Sequence, residues 1–248
     1  MLSTELYQAI TLIIIVSLVD FLERIRPSFH VSRQRELGIN ILALTVVIIW
    51  GELAKEAVLS GFHAVGLDRI LPAGAVRYLP AGVKILFAVI LGDLSLYWVH
   101  RAMHRNPVLW KTHAFHHSIP EIWWLAGSRT SMTHLLLFAA PQIFIGYYLL
   151  GVTPLEAGIG FSVGVVVNIW IHINIWVDLG PLEWLVVSPN FHRIHHGARG
   201  YTDKNLAFVF TVWDRVFGTY VDPRVTRKDF PVLAVPTRNR LLRMIIGY

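Results

Sequence analysis

The chain has 248 residues, 54% of them hydrophobic and only 15% charged, with mean hydropathy +0.53 and a formal net charge of +6. That is too apolar and too poor in charge for an ordinary water-soluble domain, and the lack of cysteine excludes disulfides, thiolate metal sites and a cysteine nucleophile. The basic residues are spread along the chain and not gathered on one soluble module, so nucleic acid is not an expected partner.

Five apolar stretches, at 6–21, 37–59, 82–99, 135–152 and 155–177, approach the ~20 residues that a helix needs to cross a bilayer. In lipid, every backbone polar group must find its partner within the segment, so each stretch is expected to be helical. The first has no basic residues before it and no small-residue cleavage pattern after it, which predicts a retained span. "GFSVG", 160–164, has the small-xxx-small spacing of close helix packing, and Trp123 and Trp124 read as interface anchors. With alternating spans, the segments 22–36, 100–134 and 178–248 share one side and carry 4, 4 and 10 Lys or Arg. The other side keeps Lys55, Arg69, Arg77 and Lys84, so the positive-inside rule puts the three basic segments and the C-terminus in the cytoplasm.

Histidines follow the same division. "HRAMH" sits just beyond the third span, "HAFHH" follows, and "HRIHH" lies in the C-terminal segment, so His100, His104, His113, His116, His117, His192, His195 and His196 share one face of the membrane. Even scatter would put about one histidine in these stretches, and eight is the density of a metal-binding tract. The i, i+4 and i, i+3, i+4 spacings put each set on one face of a helix, predicting that each box aims at one common centre. Eight neighbouring imidazoles cannot all protonate, and a divalent ion that takes neutral imidazole removes the difficulty. Eight ligands exceed what one zinc uses and suit two ions, with iron and zinc both acceptable to imidazole. The zinc-protease H-E-x-x-H pattern is absent.

One H-x-x-x-H box followed by two H-x-x-H-H boxes resembles the membrane-bound fatty acid hydroxylase and sterol desaturase superfamily. "DLSLYWVHRAMHRNPVLWKTHAFHHS", "HINIW", "GPLEWLVVSPNFHRIHH" and "WDRVFGTY" extend the resemblance over 93–222, which is expected to be the catalytic region of a single integral membrane domain, 1–248. The resemblance implies an all-α, polytopic bundle of four to five spans with a cytoplasmic helical cap, in which the eight box histidines hold two irons, with zinc an acceptable substitute on isolation. His172, in "IHINIW", matches a position where the family commonly supplies one more ligand. Many relatives have a histidine where this chain has Ser131, leaving His134, three residues on, as a further candidate ligand or an interfacial residue.

Three polar residues are candidates for orienting the ligands. Asp93 lies two helical turns before His100, about 10 Å deeper on the same face, and reads either as a carboxylate that orients a ligand ring or as a helix-packing group. Asn168, one turn before His172, reads the same way, and Asn205 matches a family asparagine although Ala207 replaces the glycine that often follows it. The implied reaction uses dioxygen to hydroxylate an unactivated C–H bond of a membrane lipid, either a fatty acyl chain, a sterol or an ether lipid. Electrons are expected from a separate donor, such as cytochrome b5, a ferredoxin or a reductase, in the bacterial inner membrane or the endoplasmic reticulum. Lipid desaturation is the alternative within the family; a zinc-dependent hydrolase and a metal-binding transporter are the alternatives outside it.

Overall fold

The computed structural model describes residues 4–67, 76, 78–197, 201–226, 234–237 and 239–248. Arg69 and Arg77 lie outside the described residues. The long helices are α1 (Thr4–Ile25), α2 (Leu37–Ala64), α3 (Ala81–Arg105), α5 (Met132–Ile143) and α6 (Pro154–His172). Short ones intervene, namely α4 (Pro107–His113), α7 (Pro189–His195), α8 (Val212–Val216) and α9 (Leu241–Ile246). Among the described residues there is no β-strand, only isolated bridges such as the antiparallel one between Val186 and Phe210, so the fold is all-α.

Four helical stretches are long and apolar enough to cross a membrane: α2, α3, α6, and α5 together with the π-helical turn Phe144–Leu149 that continues it. Only 17–22% of the most apolar part of each is buried inside the protein, so most of the apolar surface faces outward, as lipid-facing helices must. With the family assignment made below, this is an integral membrane protein. α1 is not among the four, but Ile13, Ile14, Leu18 and Phe21 give it an exposed apolar face of the same kind. The fifth sequence stretch ends early, because the helix stops at His172 and Ile173 turns extended. The third runs on instead to Arg105, so "HRAMH" lies on the last turns of α3 itself.

Polar clamps hold the helices. Near the start of α3, Lys84 pairs with Glu156 at 2.7 Å, and Glu156 and Thr153 form the capping box that begins α6. Midway, Gln142 donates to the Gly92 carbonyl at 3.0 Å, and any Cβ at Gly92 would meet that amide. At the end of α1, Glu23 accepts backbone N–H groups from Trp124 (3.0 Å) and Asn174 (2.7 Å). Trp123 and Trp124 are therefore part of the packing and not free anchors: Trp123 is buried under Arg33, and Trp124 donates its indole N–H to Asp20. Gly160 and Gly164 also differ from expectation, since no atom of another element lies within 4 Å of where a Cβ would stand.

The core gathers at one end of the bundle. Three buried clusters lie there, around Tyr97, Phe191 and Leu206, around Phe115 and Ile245, and around Ile119 and Ile122. α1, α3 and α6 arrive by their C-termini and α2 and α5 by their N-termini, and the short helices cover this end as a cap.

Candidate metal centre

Local capping sets each histidine. Asn106 accepts N–H bonds from Val108 (2.8 Å) and Leu109 (3.2 Å), starting α4, whose last residue is His113. A 3₁₀ turn, His116–Ser118, follows. Ser188 caps α7 by accepting from the Phe191 amide, and that helix carries His192 and His195 with His196 as its C-cap. Ser131 caps α5 by accepting the His134 N–H at 3.1 Å. His172 is the last residue of α6.

Nine histidines come together in two groups, each with its candidate ligand nitrogens within 4.8 Å of one another. His100, His104, His113, His117 and His195 make one group; His116, His172, His192 and His196 make the other. The expectation that each box serves one centre is overturned for the second and third boxes. In both, the i, i+4 pair stays together while the middle histidine, His116 or His195, joins the other group. In the third box, carried by α7, i and i+4 lie 40° apart around the helix whereas the middle residue is 100° from its following neighbour; in the second box α4 ends at His113, and His116 and His117 lie on the 3₁₀ turn that follows.

Hydrogen bonds at the far side of the rings decide which nitrogen faces inward. Nδ1 donates to a backbone carbonyl in His100 (Leu206, 2.8 Å), His116 (Arg129, 3.1 Å), His172 (Asn168, 2.7 Å) and His195 (Lys204, 3.2 Å). A neutral imidazole has one N–H, so these four rings present bare Nε2 lone pairs to the interior. His117 Nε2 stands 2.9 Å from His195 Nε2, 3.1 Å from His113 Nε2 and 3.2 Å from His104 Nε2. In the other group, His192 Nε2 lies 3.1 Å from His172 Nε2 and 3.2 Å from His196 Nε2. Two sets of five and four ring nitrogens, each set within 4.8 Å of one another, suit divalent ions that take neutral imidazole as ligand. Burial first, then mutual repulsion, holds His113, His116, His117, His192, His195 and His196 well below the ordinary imidazole pKa, and all six rings are neutral at physiological pH.

His134 stands apart from both groups. It is buried, and its Nδ1 faces His113 Nδ1 at 3.2 Å, behind that ring. Asp93 does not reach His100; its carboxylate accepts the N–H groups of Phe208 (3.2 Å), Val209 (2.9 Å) and Phe210 (2.8 Å) and the Trp213 indole (2.9 Å). Asn168 acts on His172 through its backbone carbonyl, while its side chain bonds to the Gly127 carbonyl at 3.3 Å. Asn205 bonds to the Phe191 and Val221 carbonyls.

Two residues that sequence reasoning passed over also shape the site. Arg129 is fully buried, pairs with Glu36 at 2.8 Å, and donates to the Asn40 side chain and the Ser118 carbonyl, which fixes the chain just after His116. Gly127 lies so close to His172 that any Cβ would be 2.6 Å from its ring. A buried arginine has to be paired, but nothing in "GSRTS" names its partners in advance.

Comparison with known proteins gives the family. The fatty acid hydroxylase family model matches residues 85–219. Alkylglycerol monooxygenase of Danio rerio is 35% identical over 129 residues, 52% of this chain and 28% of that protein. The Homo sapiens alkylglycerol monooxygenase is 32% identical over 136 residues, 54% of this chain and 30% of its own. An ornithine lipid hydroxylase of Rhizobium tropici is 31% identical over 151 residues, covering 58% and 44%. The matched region is thus under half the length of each of these relatives. No solved structure matches. The family model spans more than half of the chain, including all nine clustered histidines, and the chain belongs to the fatty acid hydroxylase family.

Proposed function

We propose that the protein is a membrane-embedded di-iron oxygenase that hydroxylates an unactivated C–H bond of a lipid, with residues 93–222 as its catalytic region. The observation that carries this reading is the double histidine group, nine neutral imidazoles aimed inward at the end of an apolar bundle. His100, His104, His113, His117 and His195 would hold one ion, and His116, His172, His192 and His196 the other. When bound, two irons would supply reductive activation of dioxygen.

The protein's own part is positional. Carbonyls at 129, 168, 204 and 206 hold four rings in the tautomer that ligates, so those four need not change tautomer when the ions enter. Buried surroundings exclude water from the reacting carbon. Ligation by imidazole alone keeps anionic carboxylates away from the lipid boundary, where they would be costly. A lipid substrate would approach from the bilayer, which the exposed apolar faces of the helices meet. Relatives named as alkylglycerol monooxygenase and ornithine lipid hydroxylase support a lipid substrate and hydroxylation over desaturation.

In this reading the histidine end is cytoplasmic, because the basic segments lie on that side, and a separate electron donor approaches there. Membranes containing the protein, supplied with a reductase system and oxygen-18 gas, should place label on a lipid aliphatic chain or sterol skeleton. Label from water instead of dioxygen would defeat the proposal and point to hydrolysis, and a new double bond without label would move the enzyme to desaturation.

A further inference from the structure

Residues 204–210 form a strap with no regular secondary structure, and its backbone is satisfied in an unusual way. Five consecutive amides go to two buried carboxylates. Asp214 of α8 takes Leu206 N–H (2.8 Å) and Ala207 N–H (2.7 Å), and Asp93 of α3 takes those of Phe208, Val209 and Phe210. Asp214 also accepts the Thr219 hydroxyl at 2.6 Å, which in turn meets the Tyr97 hydroxyl at 2.8 Å. Asn205, between the two carbonyls that matter, takes the left-handed conformation at φ 52 and is tied to Phe191 and Val221. Those carbonyls, of Lys204 and Leu206, accept Nδ1–H from His195 and His100. Both rings belong to the five-histidine group, and the carbonyls that serve the four-histidine group come from Arg129 and Asn168, outside the strap.

We propose that Asp214 is a positioning residue for the five-histidine ion alone, acting through the strap on His100 and His195. The inference rests on the metal-centre reading above. Both carboxylate oxygens are in use, one on Leu206 N–H and the Thr219 hydroxyl, the other on Ala207 N–H. An asparagine keeps one acceptor but turns an amide N–H toward Ala207 N–H, donor against donor. The strap then has to move, and with it the two carbonyls that hold His100 and His195 in their ligating tautomer. This assigns a role to the aspartate of "WDRVFGTY", which touches no ligand itself.

The test is cobalt(II) titration of the metal-free 248-residue chain in detergent, following ligand-field absorption, with thermal melting as a check of folding. Wild type should bind two ions per chain. His195→Ala identifies the binding class that belongs to the five-histidine group. Asp214→Asn should weaken that same class 10- to 100-fold, the usual effect of losing a partner that orients a ligand, and shift its absorption bands. The other class should keep its affinity and spectrum. Unchanged affinity at both classes overturns the inference, and so does equal weakening of both, which is what a merely structural role produces. If Asp214→Asn is not recovered folded, Thr219→Val decides by the same readout: weakening confined to that class supports the inference, and any other pattern overturns it. A wild-type chain that binds fewer than two ions overturns the metal-centre reading and the inference together, whereas failure in the variants alone leaves that reading standing.

Discussion

Gly127→Ala isolates the steric limit of the site. Gly127 sits in the 3₁₀ turn Ala126–Ser128, where its φ is not in the left-handed region, so alanine meets no backbone strain and its whole effect comes from the added methyl. That methyl would lie 2.6 Å from both Cγ and Nδ1 of His172 and 3.0 Å from its Cβ. Comfortable carbon contacts need about 3.5–4.0 Å, so the ring has to retreat by about 1 Å. It has no free direction, because Nδ1 is tied to the Asn168 carbonyl at 2.7 Å and Nε2 faces His192 at 3.1 Å. A misplacement of about 1 Å in a catalytic constellation costs about 10²-fold in rate, equivalent to ~2.7 kcal/mol. The variant should therefore hold close to one ion per chain, retain the five-histidine class in a cobalt titration, and lose lipid hydroxylation by about two orders of magnitude. Gly164→Ala is the matched control: nothing lies within 4 Å of its Cβ position, and it should be neutral or slightly stabilising. Two ions at wild-type affinity together with wild-type turnover in Gly127→Ala would refute the reasoning.

Two further expectations follow from the same geometry. Stripping the ions with a chelator leaves ring nitrogens 2.9–3.2 Å apart with no ion to join them, and restoring metal at a thousandfold excess over Kd should stabilise the fold by about 4 kcal/mol per site, raising Tm by roughly 8 °C or more; an unchanged melting curve would count against the nine-histidine assignment. A cysteine placed at Val108, exposed beside the cap, should react with an impermeant maleimide only from the cytoplasm, and one at Tyr78, exposed before α3, only from the opposite side; since the natural chain has no cysteine, labelling in the reverse sense would invert the proposed topology.

How much of this was legible in the sequence depends on how local each cause is. The spans and the histidine boxes are local patterns, and hydropathy and i, i+4 spacing expose both. The division of the boxes is not local. His116 and His195 cross to the other group because two short segments face each other across the cap, and that pairing depends on how α4 and α7 dock. Asp93 shows the same limit: its position two turns before His100 suggested contact with that ring, yet it grips residues 115 to 117 positions away. The small-residue spacing at Gly160 and Gly164 was a local signal with no partner in the fold.

The contrast between the two ends of the bundle has a physical origin. Between apolar helices in lipid there is no hydrophobic driving force, so their association depends on packing and polar links. Here the links within the spans are few, chiefly Lys84 with Glu156 and Gln142 with Gly92. At the cap, burial of Phe115, Phe191, Ile119 and Leu206 contributes the usual hydrophobic term, and buried charges are paired through Arg129 and Glu23. The nine clustered histidines come from four helices and one 3₁₀ turn, so ions bound among them would join α3, α4, the turn His116–Ser118, α6 and α7 at the one place where these elements already pack. Metal binding and helix assembly are then a single equilibrium, and a change that loosens the cap weakens the ions even where it touches no ligand.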